Sequence, residues 1–398
     1  MPYRQSEKNL VYFLRVSTIM HIFAEKRILT NMNVYHHVLS KAKRIKGVKF
    51  IIYLIRRCRL YRYYRLLKES QKRTMFFEKH YPSYSNDDLR KVIEKSKKAW
   101  MKYQMGYNDF FTLHCEDKQM AQIGEYLSFK ESKLFCKVVN STRSHKILNN
   151  KYACYRHFCD YYGRSIEMIT PEEINSGAGL TKLKTFVESK PAQPYIIKPY
   201  NCCCGYGIKM LSSTSDIWEY IQKLHRGVVI EEVIVQDESL AAFNQSSVNT
   251  LRIQTANYGN GTIDVLWPCL RMGRKGSIVD NAGAGGIFSA IDVNTGKTIA
   301  AMDELRHAWT VHPDSKKDLI GYTIPRWQEA VALAKELARK LPDAGFVAWD
   351  LALTKRGWVM VEGNALPLLI YQFAVGKGIR QEYCDLKKKY KFSVWLRN

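Results

Sequence analysis

The chain has 398 residues, 46% of them hydrophobic, and a formal net charge of +25 at pH 7. That length suits two or three domains around a substantial buried core, and the apolar fraction excludes a disordered polymer. The ten cysteines are scattered without CxxC or HxxxH zinc spacing, which argues against a disulfide scaffold or a zinc module and for free thiols in a reducing cytoplasm.

The first hundred residues read as helical, basic and rich in tyrosine. The run "VYFLRVSTIMHIFA" is broken by Arg15 and His21 and lacks a convincing cleavage site, so no signal peptide is expected. Residues 41–73 hold 13 Lys/Arg against one acid, Glu69, about half of the net charge. Ile45, Val48, Ile52 and Ile55 form an apolar stripe at helical spacing, which dissolves after Cys58 where arginines and tyrosines interleave. The longest apolar run, Phe50 to Ile55, is too short to cross a bilayer. Two readings stay open: a solvated helical face, or an arm lying on an anionic membrane surface at the inner face of the membrane. Nucleic acid ranks below both.

From residue 76 a polar helical stretch runs through "SNDDLRKVIEKSKKAWMKY", with Ser85 or Asn86 as its cap and acids in the first turn. After residue 190 short β-branched runs appear: "YIIKPY", "VVIEEVIV", "VNTLRIQTANY", "IDVLWPCL", "FVAWDLAL" and "WVMVEGN". Turn signals such as "YGNGT" and "TKRG" separate some of them. One amphipathic helix interrupts, "WQEAVALAKELARKLP", with Ala330, Leu333, Ala334, Leu337 and Leu341 on one side. The expected class is α+β with antiparallel hairpins, ending in a basic tail after residue 376.

Residues 196–208, "IIKPYNCCCGYGI", place three adjacent cysteines between a lysine and two glycines. Three consecutive cysteines cannot all reach one tetrahedral zinc, and the redox spacing is missing. What remains is a strand, Lys198, and a small-residue loop ending in Gly205 and Gly207. Such a loop lets backbone N–H groups approach an anion, with the lysine adding positive charge. On this stretch alone a plain strand-to-turn transition is the favoured reading.

"FVAWDLALTKRGWVMVEGNALP" adds weight to the anion reading, as two strands joined at "TKRG". With a three-residue loop Lys355-Arg356-Gly357, Thr354 pairs with Trp358, Asp350 falls opposite Glu362, and Asn364 shares the face of Glu362. Like charges directly across a ladder repel, and the apolar neighbours imply a buried sheet, so the pair needs a cation between its members. Two carboxylates and an amide oxygen form a hard-oxygen set suited to Mg²⁺ that also touches nucleotide phosphates. The bland alternative is an exposed hairpin face of ordinary polar residues.

With these stretches in order, the chain resembles the ATP-grasp superfamily, in particular its sugar-transfer-associated branch, implicated in cell-surface polysaccharide biosynthesis. The resemblance covers roughly residues 145–372 and rests on "LNNKYACYRHF", "YIIKPYNCCCGYGI", "VVIEEVIVQ", "SVNTLRI", "RMGRKGSIVDNAGAGGI" and "VAWDLALTKRGWVMVEGNALP". It implies an ATP-grasp fold, two α+β subdomains gripping ATP, after a basic helical N-terminal region. The expected divisions are a basic arm at 1–75, a helical region at 76–144, a lid-bearing subdomain at 145–240, a metal-bearing subdomain at 241–375 and a tail at 376–398.

The resemblance also implies roles. Lys151 and Lys198 would contact ATP phosphates, with Gly205 and Gly207 in the flexible loop beside them. Glu231, Glu232 and Val233 would form the hinge strand that meets adenine, and Glu238 is the candidate for ribose. Arg252 and Arg271 would face the phosphates or the reacting acyl group, and Arg252 stands out because a strand arginine among apolar neighbours usually has an anionic partner. Asp350, Glu362 and Asn364 match the magnesium ligands. Asp280, Asn281, Gly285 and Gly286 match a substrate-side loop, and His312 is a further candidate substrate contact. The departure from the family pattern is Cys202 to Cys204, where glycine or serine is commoner.

The activity implied is that of an ATP-dependent, ADP-forming carboxylate–amine ligase acting through an acylphosphate, with a small-molecule or glycan-linked carboxylate and an amine as partners. Two alternatives remain: a phosphotransferase on a sugar or lipid-linked hydroxyl, and a non-catalytic scaffold held to membrane by the basic arm.

Overall fold

The computed structural model describes Leu54 and residues 59–190, 194–201 and 207–391. The stripe Ile45, Val48, Ile52 and Ile55, and the loop residues Cys202 to Cys204 and Gly205, lie outside them.

Among the described residues helices come first: Arg59–Lys68, Ser70–His80 and Asn86–Tyr103. Ser85 caps the third, its hydroxyl accepting from the Asp88 amide, which satisfies one of the amides a helix start leaves unpaired. Phe77, Ala99, Met105 and Phe110 close an apolar core between these helices and the short helix Tyr107–Thr112.

Two antiparallel sheets follow. The smaller has the order β1-β4-β2-β3, from β1 (Ile166–Ile169), β2 (Tyr195–Pro199), β3 (Lys209–Leu211) and β4 (Val228–Glu232). Alternation along β2 and β4 sends Tyr195, Ile197, Val228 and Ile230 to one face, where helices Ala178–Ser189 and Thr214–Leu224 cover them. Lys198 and Glu231 therefore stand on the other face.

The larger sheet has the order β10-β9-β5-β6-β7-β8, from β5 (Thr250–Asn257), β6 (Ile263–Met272), β7 (Ile287–Ile291), β8 (Thr298–Asp303), β9 (Phe346–Thr354) and β10 (Gly357–Asn364). Leu251, Ile253, Leu270, Trp349 and Leu351 fill one face with helix Trp327–Lys340, which buries Ala330, Ala334 and Leu337 as its spacing predicts. Each large side chain removed from water there contributes about 1.5–3 kcal/mol. The opposite face pairs Arg252 with Cys269 and Asp350, and Arg271 with Thr250 and Phe288. Phe288, Cys269 and Phe373 of helix Tyr371–Val375 join the apolar core of the N-terminal helices, so that region covers part of this same face.

Three expectations change. The hairpin turn has two residues, Lys355 and Arg356, and Thr354 pairs with Gly357 rather than Trp358. Asp350 nevertheless opposes Glu362, because a bulge between Met360 and Glu362 restores the lost residue. The basic tail is in part a docked helix, Arg380–Lys389, whose Tyr383 and Leu386 pack with Phe135 and Phe346. Helix Phe129–Val139, expected to belong to the N-terminal region, joins the same cluster. Directly after it, Asn140 donates to the carbonyls of Phe346 (2.8 Å) and Ala365 (3.0 Å) and accepts from the Phe346 amide (2.8 Å). Among the described residues no helix is long and apolar enough to cross a membrane.

Candidate functional site

The structure gathers the candidate residues into two groups. The first is on the small sheet. Glu231 on β4 is buried, and its Oε2 accepts from Lys198 Nζ (3.1 Å) and from Arg164 Nη2 (2.8 Å) and Nε (3.1 Å). Burial opposes a charge here, but the Lys198 ammonium and the Arg164 guanidinium outweigh it and hold the Glu231 carboxyl at about 2. Glu232 is also engaged, accepting from the Ser165 amide at 2.7 Å, and Val233 directly follows the end of β4. Gly207 (φ 67°) closes the cysteine loop; a Cβ there would lie 2.9 Å from Pro199 Cγ, so the position takes glycine.

The second group spans β5, β6, β9 and β10. Asp350 is 1% exposed and receives Arg252 in a bidentate fork, Nε to Oδ1 and Nη2 to Oδ2, both at 2.7 Å. Arg271 Nη1 donates to Asp350 Oδ2 and its Nη2 to Asp280 Oδ1, each at 2.8 Å. Asp280 also accepts from the Thr250 amide (3.1 Å) and the Thr250 hydroxyl. Burial works against the Asp350 charge, yet Arg252 and Arg271 hold its carboxyl below the usual range. The Asp280 carboxyl is raised, because burial prevails over Arg271 there. Asn364 Nδ2 lies 3.3 Å from both Asp350 Oδ2 and Glu362 Oε1, so one amide bridges the two carboxylates.

This geometry modifies the charge argument. The positive charge that the cross-strand acids require is supplied at Asp350 by two arginines of the protein itself. A hard divalent cation nevertheless fits the donor set. The two carboxylates converge on one amide, and a half-turn of that amide would offer its oxygen at the same point.

Arg164 joins the groups, its Nη1 donating to the Met360 carbonyl at 2.9 Å, two residues before Glu362. Lys151 opens helix Lys151–Tyr162, and its amide donates to the Tyr200 carbonyl at the mouth of the cysteine loop. Cys154, one turn on, lies within electrostatic reach of both Lys151 and Glu362. The loop expected on the substrate side is built around a 3-10 turn, Ala282–Ala284, capped by Asn281, with Gly285 left-handed after it. Gly286 packs against three backbone oxygens: a Cβ would fall 2.7 Å from Asp280 O, 2.8 Å from Met272 O and 2.9 Å from Asn281 O.

Two candidates stand apart. Glu238 is 90% exposed and sits 3.6 Å from Lys355 at the hairpin tip. His312 is fully buried; its Nε2 faces the Gly273 carbonyl at 3.1 Å and its Nδ1 accepts from the Ser315 amide at 3.3 Å. It braces the loop after β6 and presents no surface to a substrate. The sequence reading missed Arg164. Its signal was available: Gly163, left-handed at the helix end, followed by a charged residue entering a short strand.

No curated protein matches the chain. Among solved structures, D-alanyl-alanine synthetase A from Vibrio cholerae is similar at 12% identity over 61% of this chain and 64% of that one, with a TM-score of 0.39. For D-alanine–D-alanine ligase from Helicobacter pylori the values are 10%, 66%, 70% and 0.41. For VanG D-Ala:D-Ser ligase from Enterococcus faecalis they are 12%, 68%, 67% and 0.41. The chain thus spans a little under two thirds of the first of these proteins. The model of the sugar-transfer associated ATP-grasp family matches residues 130–388, taking in both sheets and helix Phe129–Val139 that the resemblance had left out, and the chain belongs to that family, with its α+β ATP-grasp fold.

Proposed function

We propose that this protein is an ATP-dependent, ADP-forming ligase that joins a carboxylate to an amine on an intermediate of surface polysaccharide assembly. The observation that carries this reading is the Asp350–Glu362 cross-strand pair, bridged by Asn364 and flanked by Arg252 and Arg271. Such a face binds and neutralises a polyphosphate, and the same charges serve phosphoryl transfer. Asp350, Glu362 and Asn364 would hold Mg²⁺, which supplies charge neutralisation on the transferred phosphoryl group.

The chain's own residues do the rest by alignment. Lys198, fixed by Glu231 at the end of β2, directs its ammonium toward the phosphates; Lys151 meets them from the helix start beside the loop. Arg252 and Arg271 orient the substrate carboxylate and the γ-phosphoryl group for in-line attack. The carboxylate oxygen attacks phosphorus and ADP leaves; the amine then attacks the acyl carbon and phosphate leaves. Loop residues 201–207, closing over the site, would keep water from the acylphosphate. The strand after Glu231 and Glu232 would meet adenine, with Glu238 at the ribose side, and Asp280 to Gly286 would line the acceptor side.

The test is a screen of acids and amines for Mg·ATP-dependent release of ADP and phosphate. A ligase releases both only when acid and amine are present together. Release of ADP with a hydroxyl acceptor alone, yielding a phosphorylated product, would replace the ligase by a phosphotransferase. Absence of ATP binding would leave a scaffold.

A further inference from the structure

We propose that the outward face of the helices Arg59–Lys68 and Ser70–His80 docks the protein on an anionic lipid bilayer. The helices Arg59–Lys68 and Ser70–His80 run on from one another: the Glu69 amide donates to the Arg65 carbonyl and the Arg73 amide to the Glu69 carbonyl, which carries the α-helical pattern across the join. Their inner side is fixed to the body of the protein. Arg62 Nη1 donates to the carbonyls of Met101 (2.6 Å) and Lys102 (3.1 Å), Trp100 Nε1 donates to the Arg62 carbonyl (2.8 Å), and Arg73 and Phe77 are buried. The opposite side is therefore turned to solvent.

That side carries three exposed apolar side chains together with exposed cations. Tyr63 is 54% exposed, Leu67 56% and Met75 61%. Arg59, Lys68, Lys72 and Lys79 are exposed beside them. Glu78 is the one exposed acid of these two helices, because Glu69 is turned inward onto Arg65 and Lys130. Exposed apolar side chains with cations beside them match the interface of an anionic membrane, where rings and thioethers enter the headgroup boundary and cations meet lipid phosphates. A nucleic acid would use the cations and leave Leu67 and Met75 without a partner.

Charge also decides against the chain's own N-terminal segment as the cover. Residues 1–58 carry twelve Lys/Arg against two acids, Glu7 and Glu25, so the segment is repelled by the basic face and adds to the attraction of anionic lipid. The inference is independent of the ligase reading, since none of these residues belongs to the site.

The experiment is co-sedimentation of the full-length protein with phosphatidylcholine vesicles and with vesicles containing phosphatidylglycerol, at low and high salt. Binding is expected on the anionic vesicles alone and should weaken with salt. Each lysine lost should cost about fivefold in partitioning, so K68A/K72A should bind about 25-fold more weakly. L67E/M75E, at exposed positions, should unfold in urea like the wild type and lose vesicle binding. Equal binding to neutral vesicles, binding unchanged in both double variants, no vesicle binding, or preference for duplex DNA over anionic vesicles would each overturn the proposal.

Discussion

Replacing Glu231 by glutamine keeps the shape of the side chain and removes its charge from between Lys198 and Arg164. The Glu231 carboxyl is held at about 2 against an ordinary 4.5. At about 1.4 kcal/mol per unit, that difference corresponds to about 3 kcal/mol of stability. Removing one partner of a buried ion pair costs about 3–5 kcal/mol, so both routes give the same magnitude. The sign follows from the depressed value: the contribution is complete above pH 4.5 and is lost as pH falls toward 2. By pH 3 only about half remains. Urea unfolding of wild type and E231Q at pH 7, 5 and 3 reads both effects. The expected result is a deficit of about 3 kcal/mol at pH 7 that narrows on acidification. Equal stability at pH 7, or a deficit constant down to pH 3, would refute the assignment of this charge network.

E362Q should fold like the wild type, as Glu362 is only partly buried, and lower Mg·ATP-dependent ADP release by about 100-fold or more; unchanged turnover would remove Glu362 from the site. G286A forces a methyl against three backbone oxygens and should cost about 1–3 kcal/mol, read as a lowered Tm. N140A deletes three buried hydrogen bonds at the end of helix Phe129–Val139, two to Phe346 of β9 and one to the Ala365 carbonyl after β10, and should cost about 2–4 kcal/mol in urea unfolding.

Strands that alternate or run continuously apolar were legible in the sequence, among them β2, β4, β5, β6, β9 and β10, as was helix Trp327–Lys340. Those it hid are short or rich in small residues. β3 has three residues and an exposed edge, β8 reads "TIAAMD", and β7 follows a glycine run whose turn signals mask it. The Asp350–Glu362 pairing was legible although the turn that was to produce it was not. A three-residue loop and a two-residue loop with a bulge give the same register beyond the irregularity, and side-chain pattern alone cannot separate them. The partners of the arginines were less visible. Arg252 announced an anion by its apolar company, but that Arg271 would divide itself between Asp350 and Asp280 depends on strand neighbours far apart in sequence. The docked helix Arg380–Lys389 was hidden by its lysines, of which Lys387 lies over the Tyr383 ring.

The irregularity in β10 also couples mechanics to chemistry. Arg164 grips the Met360 carbonyl beside it with one arm and Glu231 of the small sheet with the other. Any swing of the small sheet must either snap these bonds or drag the strand that bears Glu362. A movement of the small sheet and a shift of Glu362 then become one displacement, geared through a single guanidinium.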